Sequence, residues 1–318
     1  MTPMERGFRG FFITMIINTR ETLMTNSHLS RRRFLQRTAV LAAGALLPIG
    51  CAQPDPLETL DAYVPQGPLK QSACRFIINL FGIDKAVEIC KRLGLVGIDL
   101  LDPPEWDVML KNNLVATMGR VPGHGGISKG FNRRDNHDLL FELYAKHIEL
   151  AAVKKVPNLI CFSGNRAGLG DEEGMENCVV GLKRIMPVAE KHGVTLCMEL
   201  LNDKDHKDYQ ACTTPWAAEM CHRVGSERMK LLYDIYHMQR MEGELINHIN
   251  KYKDVIGHYH TAGNPGRKDL DDEQEIYYPA VVRAILKTGF NGYFAHEFSP
   301  KDGMNSLRRA IETCDVQI

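Results

Sequence analysis

The 318-residue sequence predicts an α/β protein of the (β/α)8 barrel class, and three observations carry that expectation. Eight short apolar runs alternate with longer segments of helical period, the pattern of a parallel sheet wrapped by helices. The alternation fills about 245 residues, the span an eightfold βα repeat needs. No Gly-x-Gly-x-x-Gly follows the first strand, so the main signature of an open dinucleotide-binding sheet is missing from the sequence.

Residues 1–51 read as an N-terminal extension and export signal. Ser30-Arg31-Arg32-Arg33-Phe34-Leu35-Gln36 precedes Thr38–Ile49, an uncharged Ala- and Leu-rich run, and the pair resembles a twin-arginine signal. The run is too short for a stable span of about 30 Å of hydrocarbon, so it reads as an address and not an anchor. Gly50-Cys51 ends it as the lipidated Cys of a bacterial lipoprotein would, with Pro48 where that motif carries an aliphatic residue; lipidation of Cys51 and plain cleavage nearby both stay open. Met24 begins a segment of the usual length before such a signal, and the sequence does not decide whether residues 1–23 are translated. The expected location is the periplasm, free or as a membrane-anchored lipoprotein. Residues 52–73 hold Pro54, Pro56, Pro65 and Pro68 among polar residues, which is linker composition. The barrel is expected over residues 74–318.

Within it, strands are expected at Cys74–Leu80, Val96–Leu101, Leu114–Met118, Asn158–Phe162, Thr195–Leu201, Lys230–Ile235, Ile256–His260 and Gly292–Phe298. Amphipathic helices are expected at Asp84–Leu93, Asp138–Lys154, Glu176–His192, Pro215–Val224, Glu244–Tyr252, Tyr278–Lys287 and Asn305–Cys314. The nine Cys form no CxxC pair and mostly sit in apolar runs, so they read as buried free thiols.

With 44% hydrophobic and 25% charged residues, disordered and low-complexity classes are excluded. Lys+Arg and Asp+Glu balance at 39 each, but the basic N-terminal 51 residues leave the remainder at a net of −5. A mildly acidic barrel argues against a nucleic-acid partner, whose phosphates require clustered Lys and Arg.

In a barrel of this kind the chemistry lies at the carboxyl ends of the strands. The fifth strand carries Glu199 in an otherwise apolar run, the sixth ends in Asp234 with His237 three residues on, the seventh holds His258 and His260 on one face, and the eighth ends in Glu297. Each alone has an ordinary structural reading, since a buried Glu is usually half of an ion pair and a lone His a hydrogen-bonded core residue. Together, three carboxylates and an imidazole at consecutive strand ends would repel one another unless a divalent cation lay between them. A mostly oxygen donor set suits Mg²⁺ or Mn²⁺ better than zinc.

Asp234-Ile235-Tyr236-His237-Met238-Gln239-Arg240-Met241-Glu242-Gly243, with Glu199-Leu200-Leu201-Asn202 before it and Pro265-Gly266-Arg267 after it, resembles the hydroxypyruvate isomerase family. That family lies within the xylose isomerase-like TIM barrels, beside the ketose 3-epimerases and endonuclease IV. The resemblance implies a metal-dependent isomerase of a small keto sugar or keto acid, working through an enediolate. It implies Glu199, Asp234, His260 and Glu297 as metal ligands, Glu199 and Glu297 also as the proton-transferring pair, and His237, Arg267 and Asn202 as substrate contacts. His124, in the Gly-rich loop after the third strand, is a further candidate contact, while His258 is expected to orient a ligand and His296 to face the helices. Glu275 falls in the acidic segment that follows Pro-Gly-Arg in that family. His260 stands where the isomerases often carry Gln and the epimerases His. Leu200-Leu201 and Gly263-Asn264 replace residues usual on the substrate side, which leaves the substrate and the choice between isomerisation and epimerisation open. An endonuclease IV-like nuclease and a non-catalytic carbohydrate-binding barrel are the competing classes. A homo-oligomer is compatible with the sequence, and the only membrane contact it suggests is a lipid on Cys51.

Overall fold

In the computed structural model of the chain, residues 55–78 and 82–318 are described; the signal segment, Cys51 and the start of the linker lie outside them. The strands are β1 (Lys70–Cys74), β2 (Gly97–Asp99), β3 (Val115–Ala116), β4 (Asn158–Cys161), β5 (Thr195–Glu199), β6 (Met229–Asp234), β7 (Ile256–Thr261) and β8 (Tyr293–His296). All pair in parallel, in the order β3-β2-β1-β8-β7-β6-β5-β4. The remaining gap is closed at Gly119, which bridges Leu101 on one side and Leu159 on the other. Its N–H donates to the Asn158 carbonyl at 2.8 Å and its own carbonyl accepts from Ile160 at 3.1 Å. A Cβ at this position would lie 2.6 Å from Trp106 Cζ2 and 2.8 Å from Leu159 Cδ2, so only glycine lets the two edges meet.

The helices are α1 (Pro56–Thr59), α2 (Ile83–Arg92), α3 (Pro103–Lys111), α4 (His137–Val153), α5 (Asp171–His192), α6 (Thr214–Val224), α7 (Ile235–Met241), α8 (Leu245–Lys251), α9 (Tyr278–Lys287) and α10 (Gly303–Cys314). Besides the four-residue α1, two helices, α3 and α7, have no counterpart in the periodicity. The first opens on Pro103-Pro104, which reads as a turn yet suits the first helical positions. The second has seven residues, too few to show a period, and begins where the Asp234 carboxylate accepts the His237 N–H. Where α5 stops, Gly193 takes the left-handed conformation at φ 70 that ends the helix without a Cβ clash.

The first strand corrects the sequence expectation. It occupies Lys70–Cys74, inside the segment whose composition reads as linker, and Arg75–Ile78 form a 3-10 turn. Leu60 and Leu69, also upstream of residue 74, are buried in the core. The polar Gln71 and Ser72 are buried as well, because they have partners: Gln71 donates to the Ile311 carbonyl at 3.2 Å, and the Ser72 hydroxyl is hydrogen-bonded to that of Thr117 at 3.1 Å.

Strand alternation sorts the side chains into two layers. Leu196, Met198, Leu231, Tyr233 and Leu159 belong to the large cluster shared with the helices, whereas Met118, Ile160, Cys197 and Leu232 form a separate small cluster. The latter fills the lumen. Two residues beyond Cys197 and Leu232, on the same face of β5 and β6, come Glu199 and Asp234. Eight cysteines lie among the described residues, and all are buried free thiols.

Candidate active site

Adjacent registers bring the site together. Asp234 on β6 is level with His260 on β7, and the Glu297 N–H, one residue past β8, donates to the Thr261 carbonyl at 2.9 Å. One ligand atom from each of Glu199, Asp234, His260 and Glu297 lies within 4.8 Å of the others, and all four side chains are buried. His260 Nδ1 is 2.6 Å from Glu297 Oε2 and 3.7 Å from Glu199 Oε1. Despite that proximity, neither His260 Nδ1 nor Glu297 Oε2 makes a properly directed hydrogen bond.

Charge explains the strain in this cluster. Burial, with Glu297 and Asp234 nearby, raises the Glu199 carboxyl above its usual range, against the pull of His260. Burial likewise pushes Asp234 up to about 6, although Arg267 opposes it. Burial also works against the Glu297 charge, but Arg267 and His260 outweigh it and hold that carboxyl at about 2. Arg267 reaches the cluster with Nη2, 2.7 Å from Glu297 and 3.0 Å from Asp234, and lies over the Tyr236 ring at 5.5 Å. Burial works against a charge on His260, but Glu297, Asp99 and Glu199 outweigh it and hold that imidazole well above its ordinary value. Three carboxylates and one imidazole whose Nδ1 faces them are side chains that could hold a divalent cation.

His237 is anchored beside this set. Asn202 donates to its Nδ1 through the side-chain amide at 2.5 Å and the backbone N–H at 3.3 Å, so the ring proton belongs on Nε2. Burial, reinforced by Arg267, lowers the imidazole well below its ordinary value and keeps it neutral. The structure therefore offers a neutral Nε2–H, buried, without a hydrogen-bond partner among the described residues and 3.7 Å from Asp234 Oδ2. Arg267 Nε is a second buried donor with no partner among the described residues.

The other candidate residues fall around this centre. Asn202, expected to touch substrate, spends its amide on His237 and on Asp205 at 3.1 Å, while its Oδ1 accepts from the Lys204 and Asp205 N–H groups. It acts on the centre through His237. His124 packs against Phe162 and Tyr144, with ring centroids 5.6 and 6.4 Å away. It is half-buried in its loop and is not one of the converging group. His296 donates to Gln71 Oε1 at 2.9 Å on the helix side, as expected. Glu275 accepts from Gln239 at 3.1 Å and from Asn264.

Sequence reasoning did not single out Asp99, at the end of β2. It is fully buried, with Oδ1 3.0 Å from His260 Nε2 and Oδ2 2.9 Å from His258 Nε2, and Thr117 donates to Oδ2 at 2.6 Å. Burial disfavours its charge, but His258 and His260 more than compensate and hold it ionised. The available signal was the one that marked Glu199, a carboxylate inside an apolar strand.

Residues 85–315 match the family model of the xylose isomerase-like TIM barrel. The chain belongs to that family. Hydroxypyruvate isomerase of Escherichia coli strain K12 is 27% identical over 226 residues, which is 67% of this chain and 86% of that one. The 2-oxo-tetronate isomerase of Cupriavidus necator is 29% identical over 118 residues, 37% of this chain and 45% of its own length. The solved structure of 3-keto-D-glucoside 4-epimerase from E. coli covers 77% of this chain and 100% of its own, at a TM-score of 0.64 and 16% identity, a likeness of fold. As in other barrels of parallel strands, this xylose isomerase-like chain carries its converging polar groups at the carboxyl ends of the strands, which is where the fold places catalytic residues.

Proposed function

We propose that the chain is an isomerase of small α-hydroxy carbonyl compounds, a keto acid of the hydroxypyruvate type or a closely related keto sugar. The observation that carries this reading is the convergence of Glu199, Asp234, His260 and Glu297 on a common point beside two unpartnered donors, His237 Nε2 and Arg267 Nε. The isomerase relatives support the same reaction class.

Glu199, Asp234, His260 and Glu297 would hold a divalent cation, with Mg²⁺ or Mn²⁺ suited to the oxygen-rich set. When bound, such a cation supplies the Lewis acidity that makes a C–H beside a carbonyl removable. The chain's own groups account for the rest. One of the two glutamates takes the proton from the hydroxyl-bearing carbon, and returning it to the neighbouring carbon, with a matching transfer between the oxygens, interconverts ketose and aldose forms. Glu199 suits removal, because burial makes its carboxylate a stronger base than a solvated one. Glu297 stays ionised beside Arg267 and can exchange a proton from another strand. The His237 Nε2–H and Arg267 donate to substrate oxygens as negative charge builds on them, and Arg267 also suits a substrate carboxylate.

Because Glu199 and Glu297 both face His260 Nδ1, at 3.7 and 2.6 Å, a carbon held between them could also be reprotonated from its second face, which would be epimerisation. Incubation with hydroxypyruvate and with ketoses in D2O containing Mg²⁺, followed by NMR, separates these outcomes. A new aldose–ketose isomer carrying deuterium supports the proposal, and an epimer supports the second reading. Neither conversion nor exchange on any substrate would contradict both. Glu297→Gln and Glu199→Gln should each lower turnover roughly 10²–10⁴-fold with folding retained.

A further inference from the structure

We propose that Asp99 is a positioning residue that fixes His260 as its Nε2–H tautomer and thereby aims Nδ1 at the cation. The inference rests on the reading that the four converging residues hold a cation.

An ionised carboxylate only accepts hydrogen bonds, so a ring nitrogen that faces it at contact distance must carry the proton. Asp99 Oδ1 stands 3.0 Å from His260 Nε2, in hydrogen-bond geometry. Nδ1 is then the ring atom left for a cation: it points at Glu297 and Glu199, at 2.6 and 3.7 Å, and makes no directed hydrogen bond. With the Nε2 proton held on Asp99, a cation gripped by the four residues would meet His260 through Nδ1.

The surroundings make Asp99 hard to displace. It sits on β2 and reaches across the lumen to β7, 161 positions away in sequence. Thr117 on the β3 side donates to Oδ2 at 2.6 Å, and His258 Nε2 approaches the same oxygen at 2.9 Å. Each partner comes from a different strand or ring, so the carboxylate cannot rotate without breaking another contact. An ordinary structural ion pair would need none of this relation to Nδ1. Partners that orient a metal-binding imidazole and raise its basicity typically change metal affinity about 10–100-fold when removed.

The test uses the whole chain, stripped with EDTA and titrated with Mn²⁺, with free ion read by electron paramagnetic resonance. Asp99→Asn should bind Mn²⁺ about 10–100-fold more weakly than the unsubstituted protein, because its amide no longer pulls on the imidazole as a charge and can turn an N–H toward it. Binding within twofold of the unsubstituted protein would overturn the inference. No binding by either protein would instead overturn the cation reading on which it rests. A second measurement needs no variant and decides the matter if Asp99→Asn does not fold. With Zn²⁺ as a diamagnetic probe, ¹H–¹⁵N spectra of the histidine side chains should show His260 bound through Nδ1 with a retained Nε2 proton. Ligation through Nε2 would refute the role of Asp99.

Discussion

Asn202 and His237 form a donor–acceptor pair in which the asparagine supplies both protons, from its side chain at 2.5 Å and its backbone at 3.3 Å, to the same imidazole nitrogen. The second nitrogen is left as a neutral donor facing the carboxylates. A residue 35 positions away thus decides what His237 can offer to a substrate.

Substituting Asn202 should therefore change catalysis without changing cation binding. Asn202→Ala frees the imidazole to exchange tautomers, and kcat/KM should fall roughly 5–150-fold, the equivalent of a lost hydrogen bond of about 1–3 kcal/mol. Asn202→Asp should be at least as severe, because a carboxylate there pulls the ring proton to Nδ1 and leaves a lone pair on Nε2. Steady-state kinetics beside an Mn²⁺ titration check both points. An Asp variant more active than the Ala variant would contradict the tautomer assignment.

The cation-free protein should lose stability as pH rises through the weakly acidic range. Burial lifts Asp234 from the ordinary value of 3.8 to about 6 in the folded chain. A carboxyl whose folded value is the higher one contributes stability that is complete below its unfolded value, near pH 4, and is lost as pH rises through about 6. At most this is on the order of 3 kcal/mol. Asp234→Asn keeps the cap on the His237 N–H and lacks the titration, so in EDTA its melting temperature relative to the unsubstituted protein should climb between pH 4 and 7. Added Mg²⁺ should abolish that advantage, since an ionised Asp234 is then required. A difference that stays constant with pH would contradict the assignment.

Closure of the barrel at Gly119 is open to a similar test. In Gly119→Ala the new methyl group meets Trp106 and Leu159 at 2.6 and 2.8 Å, with backbone bonds on both sides limiting relaxation. The cost should be about 1–3 kcal/mol. Thermal unfolding followed by Trp fluorescence should show a midpoint several degrees lower, and an unchanged midpoint would mean that the β3–β4 edge is not tightly joined.

Glu199, Asp234, His260 and Glu297 were legible in the sequence because each interrupts an apolar strand with a charge that a core cannot hold alone, and because those strands are consecutive. Asp99 carries the same mark, but its partners lie on β3 and β7, and no local pattern announces a pairing across the lumen. The first strand was misplaced for a related reason. Gln71 and Ser72 look like linker residues until His296, Ile311 and Thr117 provide their hydrogen bonds. Asn202 and His124 were legible as residues near the catalytic rim; the bonds that give the first its task and the rings that hold the second in its loop exist only in three dimensions.

The most direct measurement is anomalous diffraction from crystals of the Mn²⁺-loaded chain, collected on both sides of the manganese absorption edge. A single strong peak should lie within about 2.5 Å of a carboxylate oxygen from each of Glu199, Asp234 and Glu297 and of His260 Nδ1. A peak bound elsewhere, or none at this centre at saturating Mn²⁺, would contradict the account.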